Sequence, residues 1–217
     1  MRLVKIILPK AWIQDRKRDY YYRKAQENGY RSRAAYKLLQ ALTKYHFIKR
    51  GDVVVDLGAA PGGWIQVAKR IVGRKGFVLG IDLKAIVSFP QEYVRTTIDD
   101  MNDSEIVQRI FECLPREADV VISDVAPNIS GVWDVDQARQ IDLATISLKI
   151  SLEILRPSGN FFVKVFEGDM LNGFITEVRK HFGFVKIVKP KASRPKSSEL
   201  FILGTNFRFI NEKNESP

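Results

Sequence analysis

Val53–Trp64 reads VVVDLGAAPGGW. Three valines running into Asp56 have the character of a buried strand, and the Gly, Ala and Pro that follow make an abrupt turn stripped of side chains, where a ligand can press against bare backbone. A helix is expected next, from about Gly62 to Val72. Upstream, RAAYKLLQALTKYH at 33–46 has helical spacing. Downstream, strands FVLGID (77–82), a weak one around 93–98, ADVVISD (118–124), NFFVKVF (160–166), FVKIVKP (184–190) and LFILGT (200–205) alternate with helices near 104–113, 134–155 and 170–182. Strands separated by helices imply an α/β fold: a mostly parallel sheet, here of seven strands, with helices on both faces. There is no repeat and no low-complexity run; the tail NEKNESP at 211–217 reads as disordered.

With 217 residues, 45% of them hydrophobic, the chain can bury one sizeable core, and a single domain is expected. Cys113 is the lone cysteine, which excludes a disulfide framework and a Cys-based zinc site; with only His46 and His181 besides, no metal centre is expected. The apolar run LVKIIL is short and broken by Lys5, so it makes neither a signal sequence nor a membrane span. A cytoplasmic, monomeric protein is expected.

The charge is uneven. Residues 1–50 hold 14 Lys or Arg against three acids, a balance of +11, and the remainder holds 21 against 22, a balance of −1. Trp12, Tyr20, Tyr21, Tyr22, Tyr30 and Tyr36 lie among these charges. A basic face with planar groups suits a phosphate backbone and unstacked bases; the plainer alternative is a solvated helical surface with its aromatics turned into the core.

In an open parallel sheet, ligands bind beyond the carboxyl ends of the strands. The first strand ends at Asp56, the second at Asp82, the third near Asp99 and Asp100, the fourth at Asp124, and the fifth carries Lys164 near its end. One such Asp could be a simple cap or turn residue; an ionisable group at every strand end is harder to dismiss. The loop Gly58-Ala59-Ala60-Pro61-Gly62-Gly63 lacks the G-x-G-x-x-G spacing that seats a pyrophosphate, so dinucleotides are disfavoured. An acid ending the second strand still fits the hydroxyls of a ribose. A nucleoside without a pyrophosphate fits better, and S-adenosylmethionine is the common one.

DLGAAPGGW, SDVAPNISG (123–131), FVKVFEG (162–168) and SRPKSSE (193–199), in that order and spacing from about Tyr30 to Thr205, resemble the FtsJ-type 2′-O-ribose methyltransferases that act on uridine in 23S ribosomal RNA. The resemblance implies a Rossmann-like methyltransferase fold with the last strand antiparallel, and S-adenosylmethionine as cofactor. It also implies a catalytic Lys-Asp-Lys-Glu tetrad, matched here by Lys37, Asp124, Lys164 and Glu199. For the cofactor it points to the first loop, with Asp56, Gly58, Pro61, Gly62, Gly63 and Trp64, to Asp82 for the ribose, to Asp100 in preference to Asp99 near the adenine, and to Asp124 near the methionine end. Residues 1–50 then form a basic RNA-docking segment, about 51–206 the catalytic core and 207–217 a polar tail.

The residues alone support part of this. Lys164 interrupts a run that should be a central strand buried on both faces, where lysine is rarely placed without a partner or a task. Lys37, taken alone, reads as an ordinary helix lysine. In methyl transfer the protein must hold a ribose hydroxyl in line behind an electrophilic methyl group and accept its proton. Lys164 could do so only when neutral, a form that burial and the nearby Lys37 would both favour. Asp124 and Glu199 are then orienting groups. Docking falls to the N-terminal segment and to Lys186, Lys189, Lys191, Arg194 and Lys196. The resemblance implies ribosomal RNA, presented within the large subunit, as substrate. The rivals are a ribose methyltransferase acting on tRNA or capped mRNA, and a non-catalytic RNA-binding protein on the same fold.

Overall fold

Why the reactive groups can meet follows from strand periodicity. The structure, a computed structural model, describes residues 19–194 and 197–209; Trp12, Lys196 and the tail at 211–217 lie outside them. Seven strands form one sheet: β1 (Val53–Leu57), β2 (Phe77–Asp82), β3 (Val94–Ile98), β4 (Ala118–Ser123), β5 (Leu155–Phe166), β6 (Phe182–Val188) and β7 (Glu199–Phe207). Their order is β3-β2-β1-β4-β5-β7-β6. β1 to β5 pair in parallel, and β7 runs antiparallel to both of its neighbours. The helices are α1 (Tyr20–Glu27), α2 (Ala35–Tyr45), α3 (Gly63–Val72), α4 (Ile106–Cys113), α5 (Trp133–Ile154) and α6 (Leu171–His181).

Side chains alternate across a strand. Val53, Val55 and Leu57 enter one core layer with Phe161, Val163, Ile202, Leu148 and Phe174. Val54, Val120, Ile122, Phe162, Phe201 and Leu203 enter the other, beneath Leu38, Trp64 and Ile65. Counting by twos, Asp56, Asp124, Lys164 and Glu199 all fall on this second face, the one that α2 and α3 cover. Phe162 stacks on Phe201 at 5.0 Å and on Trp64 at 5.7 Å. This aromatic layer supports the reactive edge from below.

The opposite edge is pinned by Asp119. Its buried carboxylate accepts from the Val53 amide at 2.6 Å and pairs with Arg116 at 2.6 Å and Arg156 at 2.5 Å. One residue thus ties the starts of β1, β4 and β5 together, which fixes where their far ends project.

Three elements depart from the sequence reading. β5 begins at Leu155, directly out of α5, five residues before the expected NFFVKVF, and its pairing with β4 shifts register between Ala118 and Val120. That irregular stretch accommodates Pro157, which cannot donate to a ladder. β6 starts at Phe182, because that ring stacks on Phe161 at 5.9 Å and belongs to the core. α1 is an additional helix, capped by Asp19, whose carboxylate accepts from the Tyr22 amide at 3.2 Å.

Candidate active site

Four side chains from three strand ends and one helix converge. α2 carries Lys37 on the turn that packs Leu38 and Ala41 inward, and its Nζ lies 2.6 Å from Glu199 Oε2 and 3.5 Å from Asp124 Oδ2. Lys164 is 4% exposed. Its Nζ donates to the Asp124 carbonyl at 2.8 Å and lies 3.3 Å from Asp124 Oδ1. That last contact is an ion pair without hydrogen-bond geometry, so Asp124 Oδ1 remains a buried acceptor lacking a donor. Glu199 opens β7 opposite Phe166, so its antiparallel course brings it to the edge where β5 ends. Ser193 Oγ donates to its other oxygen at 2.8 Å.

These contacts separate the two lysines. Burial alone would lower the pKa of Lys37, but Asp124 and Glu199 outweigh it and raise the pKa above the ordinary lysine value, so Lys37 is a fixed ammonium. Lys164 faces one carboxylate oxygen and one carbonyl.

Beside the tetrad lies Asp56, 1% exposed, with Oδ2 also buried and without a donor. Burial first, then the charges of Asp124 and Asp82, push its pKa well above the usual carboxylate range. It borders a narrow pocket with Ser32, Gly58, Ala60, Pro61, Gly63 and Asp124. A cleft of about 500 Å³ continues from there, bordered by Gly58, Ala60, Asp82, Asp99, Asp100, Asn102 and Asp124. Asp82 holds the loop itself: Oδ2 accepts from the Ala60 amide at 2.9 Å and Oδ1 from the Lys84 amide at 2.8 Å. Asp99 is engaged by Arg109 at 2.9 Å, whereas Asp100 is exposed and accepts from Asn102 at 2.9 Å. Both border the cleft, so Asp100 keeps more freedom toward a ligand than Asp99.

Not every expected contact faces that cleft. Trp64 is 3% exposed, with its ring spent in the aromatic layer and its Nε1 donating to the Ala34 carbonyl at 2.8 Å. A Cβ on Gly63 would collide with Ser32 Oγ, and one on Gly62 would meet Arg31 Nη1 and Phe89. Bare backbone at these two glycines lets Ser32, Arg31 and Phe89 come close, while Gly63 and Trp64 still border the narrow pocket beside Asp56 and Asp124. Gly58 has the cleft role: at φ +74, and with Val125 Cβ 2.7 Å from any added Cβ, it keeps the turn after β1 tight.

Residues absent from the sequence reading hold this site together. Gln140 is fully buried in α5, and its Nε2 donates to the carbonyls of Lys164 at 3.0 Å and Val125 at 3.3 Å. Asp136 receives Ser130 N at 2.7 Å, Ser130 Oγ at 2.8 Å and Gly131 N at 3.0 Å, folding the loop that follows Asp124. Two acids in VWDVD were the only sequence signal for Asp136; a glutamine in mid-helix gives none.

Among the described residues no helix is long and apolar enough to cross a membrane, and no group of three His, Cys, Asp or Glu side chains could hold a metal ion.

A family model for FtsJ-like methyltransferases matches residues 30–207. The ribosomal RNA large subunit methyltransferase E of Methanosarcina mazei is 52% identical over 192 residues, 88% of this chain and 70% of that protein. Its namesake from Methanocaldococcus jannaschii is 48% identical over 201 residues, covering 91% of this chain and 82% of that one. A solved Plasmodium falciparum structure described as a ribosomal RNA methyltransferase superposes with TM-score 0.72 at 28% identity, over 82% of this chain and 98% of the other. Aeropyrum pernix fibrillarin, solved with natively bound S-adenosyl-L-methionine, shares the fold at TM-score 0.56 and 18% identity, over 82% of this chain and 76% of its own.

Proposed function

The chain belongs to the FtsJ-like methyltransferase family, and from that premise we propose that it transfers a methyl group from S-adenosylmethionine to the 2′-hydroxyl of a uridine ribose in large-subunit (23S) ribosomal RNA. The observation that carries the reading is the joining of Lys37, Asp124, Lys164 and Glu199 at one sheet edge. All four come from one chain, so a monomer suffices; the reading takes the enzyme to be cytoplasmic and to need no metal.

The residues fit the cofactor. Asp56 Oδ2 and Asp124 Oδ1 are buried acceptors lacking donors, which suits a ligand carrying positive charge and N–H or O–H groups. Asp82, at the end of β2 and on the cleft wall, suits the ribose hydroxyls, and Asp100 the adenine end. When bound, the cofactor supplies an electrophilic methyl group on a positively charged sulfur.

The chain's own part is orientation and proton transfer. Asp124 positions Lys164 through its carbonyl, while Lys37, held by Glu199, balances the charge of Asp124. Lys164 Nζ, as a neutral amine, takes the proton of the ribose hydroxyl as the oxygen–methyl bond forms and the carbon–sulfur bond breaks. Gln140 fixes the backbone on both sides of this step, at Lys164 and Val125. RNA docking is assigned, on charge, to residues 1–50 and to the basic residues from Lys186 to Lys196.

The test is methyl transfer from labelled cofactor to purified large subunits, free ribosomal RNA, tRNA and capped mRNA, followed by mapping of the alkali-resistant position. Label at one uridine of the large-subunit RNA is expected. Preferential label in tRNA or a cap would move the substrate, and none in any RNA, with cofactor bound, would leave a binding protein.

A further inference from the structure

The reaction above leaves one cavity beside the tetrad unused. It has a volume of about 420 Å³, lies by α1, and is bordered by Tyr22, Tyr30, Arg31, Ser32, Arg33 and Arg194. That volume falls in the range of about 300–1,000 Å³ usual for small-ligand sites.

Its charge is one-sided. Asp19 is the acid in contact with these cations: it pairs with Arg33 and lies 4.0 Å from Arg194. The Arg31 guanidinium donates to the carbonyls of Pro61, Val87 and Ser88 and lies over the Phe89 ring at 3.9 Å, and among the described residues no carboxylate pairs with it. Arg70 donates to Tyr30 Oη at 2.7 Å and stands over that ring at 4.8 Å. Among the described residues, Arg33 and Arg194 thus share Asp19, Glu199 adds its charge at Arg33, and Arg31 and Arg70 pair with no carboxylate. Burial, and then the charge of Arg194, disfavour the cationic form of Arg33, which an arriving anion would relieve.

The cavity is also coupled to the chemistry. Ser32 borders both this cavity and the narrow pocket of Asp56 and Asp124. Arg33 donates to the carbonyl of Ala192, the neighbour of Ser193, which holds Glu199. A ligand here is linked to Asp124 through the pocket that Ser32 shares, and to Glu199 through Arg33, Ala192 and Ser193.

Arginines select phosphate by geometry as well as by charge, and tyrosines offer a face to an unstacked base. We infer that this cavity is a subsite for one nucleotide flanking the methylated ribose, with its phosphate at Arg33 and Arg194 and its base against Tyr22 and Tyr30. Anchoring that neighbour splays the strand and sets the acceptor hydroxyl in line. The inference rests on the proposed reaction.

The experiment uses the full chain and two probes: large-subunit RNA for kinetics, and a single-stranded RNA of the mapped target sequence carrying 4-thiouridine on either side of the methylated nucleotide. Arg194→Gln is expected to raise KM for RNA about ten-fold or more, since a charge-assisted contact is lost. It should also shallow the salt dependence of binding by about 0.7 in log–log slope, the value for one phosphate on a single strand. Calorimetric affinity for S-adenosylmethionine should stay at the wild-type value, which also reports folding. On irradiation, one flanking position should cross-link to the peptides of Tyr22 or Tyr30; Tyr22→Ala should diminish that adduct and Tyr22→Phe retain it. An unchanged KM and slope in Arg194→Gln, or adducts only elsewhere, would overturn the subsite while leaving the reaction standing. Failure of the wild-type enzyme to methylate any RNA would overturn the reaction itself, and with it the subsite beside a methylated ribose.

Discussion

Lys37, half-buried, and Lys164, buried, both lie within reach of Asp124, yet among the described residues only Lys37 pairs with a second carboxylate. In the proposed reaction this divides the work: a fixed cation on one side, a proton acceptor on the other. Lys164→Met is expected to fold and bind cofactor, since the side chain keeps its length and suits an apolar strand. Methyl transfer in single turnovers should fall about 10²–10⁴-fold. Lys164→Arg keeps the charge but cannot release a proton near neutral pH; near-normal turnover in that variant would reduce Lys164 to an electrostatic anchor. Asp56 provides a pH test. Its folded pKa lies above its unfolded value near 3.8, so the cofactor-free fold binds the extra proton, and stability falls as pH rises from that value through the folded one. Asp56→Asn should therefore flatten the melting temperature against pH and make the cofactor-free protein more stable at neutral pH, while weakening S-adenosylmethionine binding. Thermal melts across pH 4–8 on both proteins check it; parallel curves would show that folding does not raise the Asp56 pKa. Lys164 was legible because a charge in an apolar strand breaks a pattern. Gln140 was not, because only burial between two carbonyls distinguishes it from any polar helix residue.

At the scale of the element, period-two alternation made the reactive edge readable: acids that end successive strands must share an edge, and counting by twos gives their face. What stayed hidden were features decided by tertiary contact. α1, YYYRKAQE, has no apolar stripe, and its cap at Asp19 doubles as the partner of Arg33. Nor could the sequence show which part of the chain comes near the glycines after β1; at Gly63 it is Ser32. Asp82 acts on its element as well as on a ligand. Asp82→Ala should weaken cofactor binding by about 1.5–3 kcal/mol, roughly ten- to hundred-fold, through a lost charged hydrogen bond. It should also speed hydrogen exchange at Ala60, whose amide it holds. An unchanged dissociation constant for S-adenosylmethionine would remove Asp82 from the site. At the opposite edge burial would raise the pKa of Asp119, but Arg116, the Val53 amide and Arg156 hold it below the carboxylate norm. Its contribution to stability is present above the unfolded value and is lost as pH falls through the folded one. Asp119→Asn should accordingly narrow the difference in melting temperature between pH 6 and pH 3.

Over the whole molecule, the balance of +11 in residues 1–50 against −1 in the rest makes one end of the chain the polyanion-seeking end. Replacing Arg16, Lys17, Arg18, Arg23 and Lys24 by Gln should raise KM for RNA and flatten its salt dependence, with cofactor affinity unchanged; an unaltered slope would relocate the docking surface. The strand order has a further consequence, one of timing. β7 is the last strand among the described residues, yet it lies between β5 and β6 and delivers Glu199 opposite the end of β5. As the chain leaves the ribosome at about 5–20 residues per second, β5 must wait with one edge unpaired while β6 and the following loop are made. Until β7 slots in, Phe161, Phe162 and Val163 border an open edge of the kind that recruits other strands. The newborn protein therefore passes through a sticky interval, and Lys37, Asp124 and Lys164 gain Glu199 as a neighbour only when the last strand arrives.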